Sequence, residues 1–64
     1  MIVYVNNTPV TIFRGASALD AARRYCTEQG TAPAFDQLYD DWGNIIAPDS
    51  PMNEGRKIFT VRPN

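Results

Sequence analysis

The chain contains no histidine and a single cysteine among its 64 residues. The first absence removes imidazole acid–base catalysis and His/Cys zinc sites, and the second leaves no internal disulfide. Charge of either sign is also sparse, with six Lys and Arg against seven Asp and Glu and a formal net charge of −1. The cations are scattered apart from the pairs Arg23-Arg24 and Arg56-Lys57, so there is no basic footprint for nucleic acid or an anionic membrane. No apolar run approaches the roughly 20 residues of a membrane span. The opening Met1 to Val5 meets Asn6-Asn7 after five residues and has no basic region before it. It reads as neither signal peptide nor anchor, and a cytoplasmic location is expected. The four glycines stand singly at element boundaries, without a phosphate-cradling cluster.

What is present suits one small core. Hydrophobic residues make up 44% of the chain and aromatic ones 11%. A chain of this length buries about 60% of its unfolded surface, enough for a single domain over residues 1–64 and no more. Ile2 to Val5 and Val10 to Phe13 are rich in β-branched and aromatic residues, and Asn6-Asn7-Thr8-Pro9 between them has turn chemistry, which predicts a hairpin with these four residues in its connection. Ser17 can cap a helix with Asp20 three residues later, and Gly30 can close it. Leu19, Ala22 and Cys26 recur at helical spacing between them, with Asp20 and Arg24 placed for a favourable pair. A second hairpin is expected from Phe35–Tyr39 and Ile45–Ile46 around Asp40-Asp41-Trp42-Gly43-Asn44, then an ordered loop over 47–55, then a strand over Lys57–Arg62.

The order is strand, strand, helix, strand, strand, strand. With the last strand parallel beside the first and the helix crossing one face, this is an α+β, β-grasp (ubiquitin-like) arrangement, a ββαββ(β) mixed sheet. Alternation predicts Val3, Val5, Val10, Ile12, Leu19, Ala22, Cys26, Leu38, Ile46, Phe59 and Val61 inside.

The stretch Val5-Asn6-Asn7-Thr8-Pro9-Val10-Thr11-Ile12-Phe13-Arg14-Gly15-Ala16-Ser17-Ala18-Leu19-Asp20-Ala21-Ala22 resembles the opening of the sulfur carriers of thiamine and molybdopterin biosynthesis. It also resembles plant-type [2Fe–2S] ferredoxin domains with a G-x-[ST]-x-L-D-A-A helix start. Met52 to Val61 is similar to the approach to the final strand in sulfur carriers and in TGS regulatory domains. Two departures restrict the chemistry that these resemblances imply. A plant-type cluster needs four thiolates, and Cys26 is alone. Sulfur carriers end in Gly-Gly for adenylation and thiocarboxylation, whereas this sequence reads Arg62-Pro63-Asn64. The resemblance implies a non-catalytic, sulfur-carrier-like interaction module. Its alternatives are a true carrier or ubiquitin-like modifier with an atypical or truncated carboxyl terminus, and a TGS-like domain that binds a small ligand. The implied partner is a protein, an activating-enzyme-like or biosynthetic enzyme; no cofactor or metal is expected, and the state is monomer or weak homodimer.

Most chemistry-bearing residues have a structural explanation. Cys26 lies on the helix's apolar stripe and acts as a small hydrophobe. Asp36, Asp40, Asp41 and Asp49 lack the alternating spacing of a calcium loop, Ser17 is a cap, and Trp42 covers an open end of a thin core. The expected docking surface is the sheet face away from the helix. There Tyr4, Phe13, Ile58, Thr60 and Arg62, with Thr11, would form a partly apolar patch.

Overall fold

A computed structural model describes residues 1–33 and 35–63; Asn64, in the Arg62-Pro63-Asn64 ending, lies outside them. Strands β1 (Ile2–Val5) and β2 (Thr8–Thr11), helix α1 (Ala18–Gln29), and strands β3 (Leu38–Tyr39), β4 (Ile45–Ile46) and β5 (Lys57–Ile58) follow in chain order. β1 is central in a mixed three-stranded sheet of order β2-β1-β5, antiparallel to β2 and parallel to β5. β3 and β4 form a two-stranded antiparallel sheet. Tyr39 and Phe59 exchange both backbone hydrogen bonds, at 2.9 and 2.8 Å, and so tie the two sheets together.

The first hairpin is tighter than its composition suggests. Only Asn6 and Asn7 form the turn, at φ 52 and 66, the paired positive values that a two-residue turn requires and that asparagine tolerates. Thr8 and Pro9, expected in the connection, belong to β2. Proline is accommodated because β2 is an edge strand and Pro9 directs its backbone away from β1. Asn6 also binds the far end of the chain. Its Oδ1 accepts from the Thr60 amide at 3.0 Å, and its Nδ2 donates to Thr60 Oγ1 at 2.9 Å.

Helix α1 starts and stops where its punctuation indicates. Ser17 and Asp20 form a reciprocal capping box, and Gly30 closes the helix at φ 73. The remaining free amides of the first turn are met by the loop before β5, with Ala18 donating to Ser50 O at 2.8 Å and Leu19 to Pro48 O at 2.9 Å. Asp20 is therefore committed to the cap, and Arg24 pairs with Glu28 at 3.0 Å instead. That exposed pair adds only a few tenths of a kcal/mol.

The helix faces the sheet through Ala18, Ala21, Ala22 and Cys26, a stripe of small side chains. Leu19, expected inside, is half-buried and lines a crevice with Phe35, Leu38, Ile46 and Pro48. The core proper joins Val3, Val5, Val10, Ile12, Ala16, Leu38, Met52 and Ile58 to those alanines, with Ile46 packed at its margin.

The last strand departs from its alternation. Alternation over Lys57–Arg62 predicts Phe59 and Val61 inside and Ile58 outside; instead Ile58 is fully buried, Phe59 is half-buried and Val61 is 66% exposed. The cause is the register of β5 on β1. Asn6, already in the turn, donates the last bond of the parallel ladder to Ile58 O at 3.0 Å, and β1 offers no further backbone to the chain after Ile58. Val5 and Ile58 are register partners and both point to the core, so the neighbouring Phe59 points the other way.

Ile58→Ala is expected to lower unfolding free energy by about 2–5 kcal/mol, and Val61→Ala by less than about 0.5 kcal/mol. Urea denaturation of the two variants decides the parity, since the reverse ranking would put Val61 in the core. Asn6→Gly keeps the turn's freedom yet loses both Thr60 bonds, and should cost about 1–2 kcal/mol by the same assay. Asn7→Gly should be neutral or slightly stabilising.

Candidate functional site

The register fixes which side chains share the face opposite α1. Ile2 and Tyr4 alternate with buried Val3 and Val5, and Tyr4 lies between Pro9 on β2 and Lys57 on β5. Phe59 continues this face, and its pairing with Tyr39 carries the face onto the second sheet. Tyr39 in turn pairs with Ile45, while their neighbours Leu38 and Ile46 turn toward the core. The outer face is thus a stripe of Tyr4, Phe59, Tyr39 and Ile45, with Lys57 beside it. Ile45 is 58% exposed.

Arg62 completes one end. Its guanidinium carbon sits 5.0 Å from the centroid of the Tyr39 ring, and Nη1 donates to Gly43 O at 3.1 Å. A cation over an aromatic face at this distance is an attractive arrangement of about 0.5–1 kcal/mol where exposed. The same contact holds the chain after β5 against the β3–β4 turn. Trp42, in that turn, is 79% exposed, so it does not cover the core.

Asp40 orders this turn. Its Oδ1 accepts from the amides of Asn44 at 2.8 Å and Trp42 at 2.9 Å, and Gly43 takes φ 84. These bonds hold the Asp40 carboxyl below its ordinary value, the Asn44 amide contributing most. Desolvation opposes the shift, and the Trp42 amide, the Asn44 side chain and the Arg56 charge add to it. Of Asp36, Asp40, Asp41 and Asp49, Asp40 is committed to this turn, and among the described residues no three His, Cys, Asp or Glu side chains gather.

The five residues singled out in the sequence do not form one patch. Tyr4 and Arg62 lie along the outer face. Ile58 is excluded from any surface by its complete burial, the consequence of the one-residue parity change described above. Thr60 is half-buried and engaged with Asn6, so its polar groups are structural ties. Phe13 is 66% exposed but lies past the end of β2, beside a groove bounded by Thr11, Ile12, Asp20, Arg23, Arg24 and Thr27. Phe59, Tyr39 and Ile45 were missed. A signal for Ile45 was present, because of two adjacent isoleucines in a hairpin strand only one can face the core.

Because the carboxyl's pKa is depressed in the folded state, ionised Asp40 adds stability above its ordinary value and loses it as pH falls through the lowered one. The difference in melting temperature between the wild type and Asp40→Asn should therefore narrow between about pH 5 and pH 2. A gap that stays constant over that range would contradict the role of the charge. No helix of the described residues is long and apolar enough to cross a membrane. No protein-family model matches the chain, and neither a curated protein nor a solved structure matches it.

Proposed function

We propose that this chain is a β-grasp domain without chemistry of its own, which acts in the cytoplasm by docking a protein partner on the outer face of its sheet. The observation that carries the proposal is the stripe Tyr4, Phe59, Tyr39 and Ile45 with Arg62 on Tyr39. Aromatic side chains and arginine supply most of the binding energy at protein interfaces, since they combine large apolar area with a polar handle and few rotors. The helix covers only the other face, which leaves Tyr4, Phe59 and Tyr39 half-buried and Ile45 exposed.

The β-grasp assignment rests on the strand order β2-β1-β5 with a parallel β1–β5 pair, on the single helix across one face, and on the Tyr39–Phe59 link to β3 and β4. The resemblance of Val5–Ala22 and Met52–Val61 to sulfur carriers leads to an activating-enzyme-like or biosynthetic enzyme as the partner class. Affinity is expected to come from Ile45, Trp42 and Tyr39 at the exposed end of the stripe, with Lys57 and Arg62 favouring an acidic rim on the partner.

In-cell photo-crosslinking from a residue on β4, read by quantitative mass spectrometry, tests this directly. Ile45→Asp should reduce crosslinked partner at least about tenfold while far-UV circular dichroism stays unchanged, and Gln29→Ala on the helix should leave it intact. Equal crosslinking by wild type and Ile45→Asp would remove the outer face as the docking surface.

A further inference from the structure

The outer edge of β2 has an uneven set of free hydrogen-bonding groups. Met1 and Ile12 exchange backbone bonds, the Met1 amine donating to Ile12 O at 2.8 Å and the Ile12 amide to Met1 O at 2.9 Å. In an antiparallel ladder such pairs recur every second residue, so Val10 and Thr8 also direct their groups to β1. Pro9, Thr11 and Phe13 direct theirs outward. Proline has no amide, and Phe13 O already accepts from the Ala16 amide at 3.2 Å. Among the described residues, two donors, the amides of Thr11 and Phe13, and two acceptors, the carbonyls of Pro9 and Thr11, have no partner along the edge.

We propose that this edge pairs with the same edge of a second copy, antiparallel about a two-fold axis through Thr11. In that register Thr11 faces Thr11 and exchanges two bonds. Each Phe13 amide donates to the Pro9 carbonyl of the other copy. The groups absent or occupied then meet each other: the amide that Pro9 lacks falls opposite the Phe13 carbonyl that Ala16 has taken. Four bonds form and no edge donor or acceptor is stranded, as buried backbone requires. A sliding of one register step would leave free groups opposite proline.

The side chains agree with this pairing. On the outer face, Thr11 lies beside its own copy, a favourable cross-strand pair. Phe13, at 66% exposure, would cover the exposed Pro9 of the other chain. On the helix side, the groove between β2 and α1, about 580 Å³, is bordered by Asp20 as well as by Arg23 and Arg24. Asp20 is held by the cap and Arg24 by Glu28, so the border presents no free block of one sign to draw an acidic or basic segment of another protein. The contact is isologous and closes at two copies. It does not depend on Ile45, the residue on which the outer-face test turns, because β2 and β4 lie in different sheets.

Sedimentation equilibrium of the full chain, from about micromolar to about millimolar concentration, should show a reversible monomer–dimer equilibrium. Thr11→Pro removes only an outward amide, as Pro9 already does within β2, and should weaken the dimer about tenfold or more. Thr11→Glu and Thr11→Lys should each dissociate it alone, while an equimolar mixture of the two should associate again as a heterodimer. Hydrogen-exchange protection of the Thr11 and Phe13 amides should rise with concentration in the wild type. The proposal is overturned by a monomer at every concentration, by a dimer insensitive to Thr11→Pro, or by Glu and Lys variants that fail to associate when mixed. A monomer that instead protects these two amides in the presence of a heterologous protein would assign the edge to that protein and overturn the self-pairing.

Discussion

The parallel pairing of β1 with β5 governs the rest of the molecule, because β1 is the central strand of the three-stranded sheet. It is also brief. Tyr4 donates to Arg56 O and Asn6 to Ile58 O, after which the asparagine turn ends β1 and the ladder with it. Two residues of pairing are enough to bury Ile58 against Val5 and to turn Phe59 outward. From Phe59 the second sheet is recruited through Tyr39, and from Tyr39 the Arg62 contact follows. A small domain that buries only about three-fifths of its surface thereby uses one short ladder both to close its core and to set what its open face displays.

Satisfaction of backbone groups explains how the remaining chain is held. The 47–56 loop has little regular structure, yet the Ser50 and Pro48 carbonyls cap the start of the helix, Met52 plugs the core, and Arg56 reaches back to Ser50 Oγ and Pro51 O. The loop is therefore part of the helix's amino-terminal cap as much as a connection. The alanine stripe of α1 matches this economy. Small side chains let the helix sit close to Val3, Val5 and Val10, where Leu19 would have held it away.

The helix and both hairpins were legible in the sequence because their signals are local: the Ser17/Asp20 box, Gly30, the Asn-Asn pair and the Asp40–Asn44 turn are each decided within five residues. The core of β1 and β2 was legible for the same reason, since Val3, Val5, Val10 and Ile12 alternate cleanly. What alternation could not supply was the parity of the last strand. Lys57–Arg62 alternates plausibly in either phase, and the choice is made by Asn6 at the other end of the chain. The outer-face site was thus half visible, with Tyr4 and Arg62 found from the pattern, Ile58 misplaced by one residue, Ile45 signalled only by its isoleucine neighbour, and Tyr39 unreadable until β3 was joined to Phe59.

The outer face traces back to this parity. If Ile58 is the core residue, Phe59 links two apolar strips into one face; if Phe59 were the core residue, that face would be broken at its centre. Nuclear Overhauser contacts of the Ile58 and Phe59 side chains measure this most directly. Contacts are expected from the Ile58 methyls to Val5 and to the Ala21 or Ala22 methyls, and from the Phe59 ring to Tyr39. Contacts from the Phe59 ring to the helix alanines, with Ile58 free of them, would contradict it.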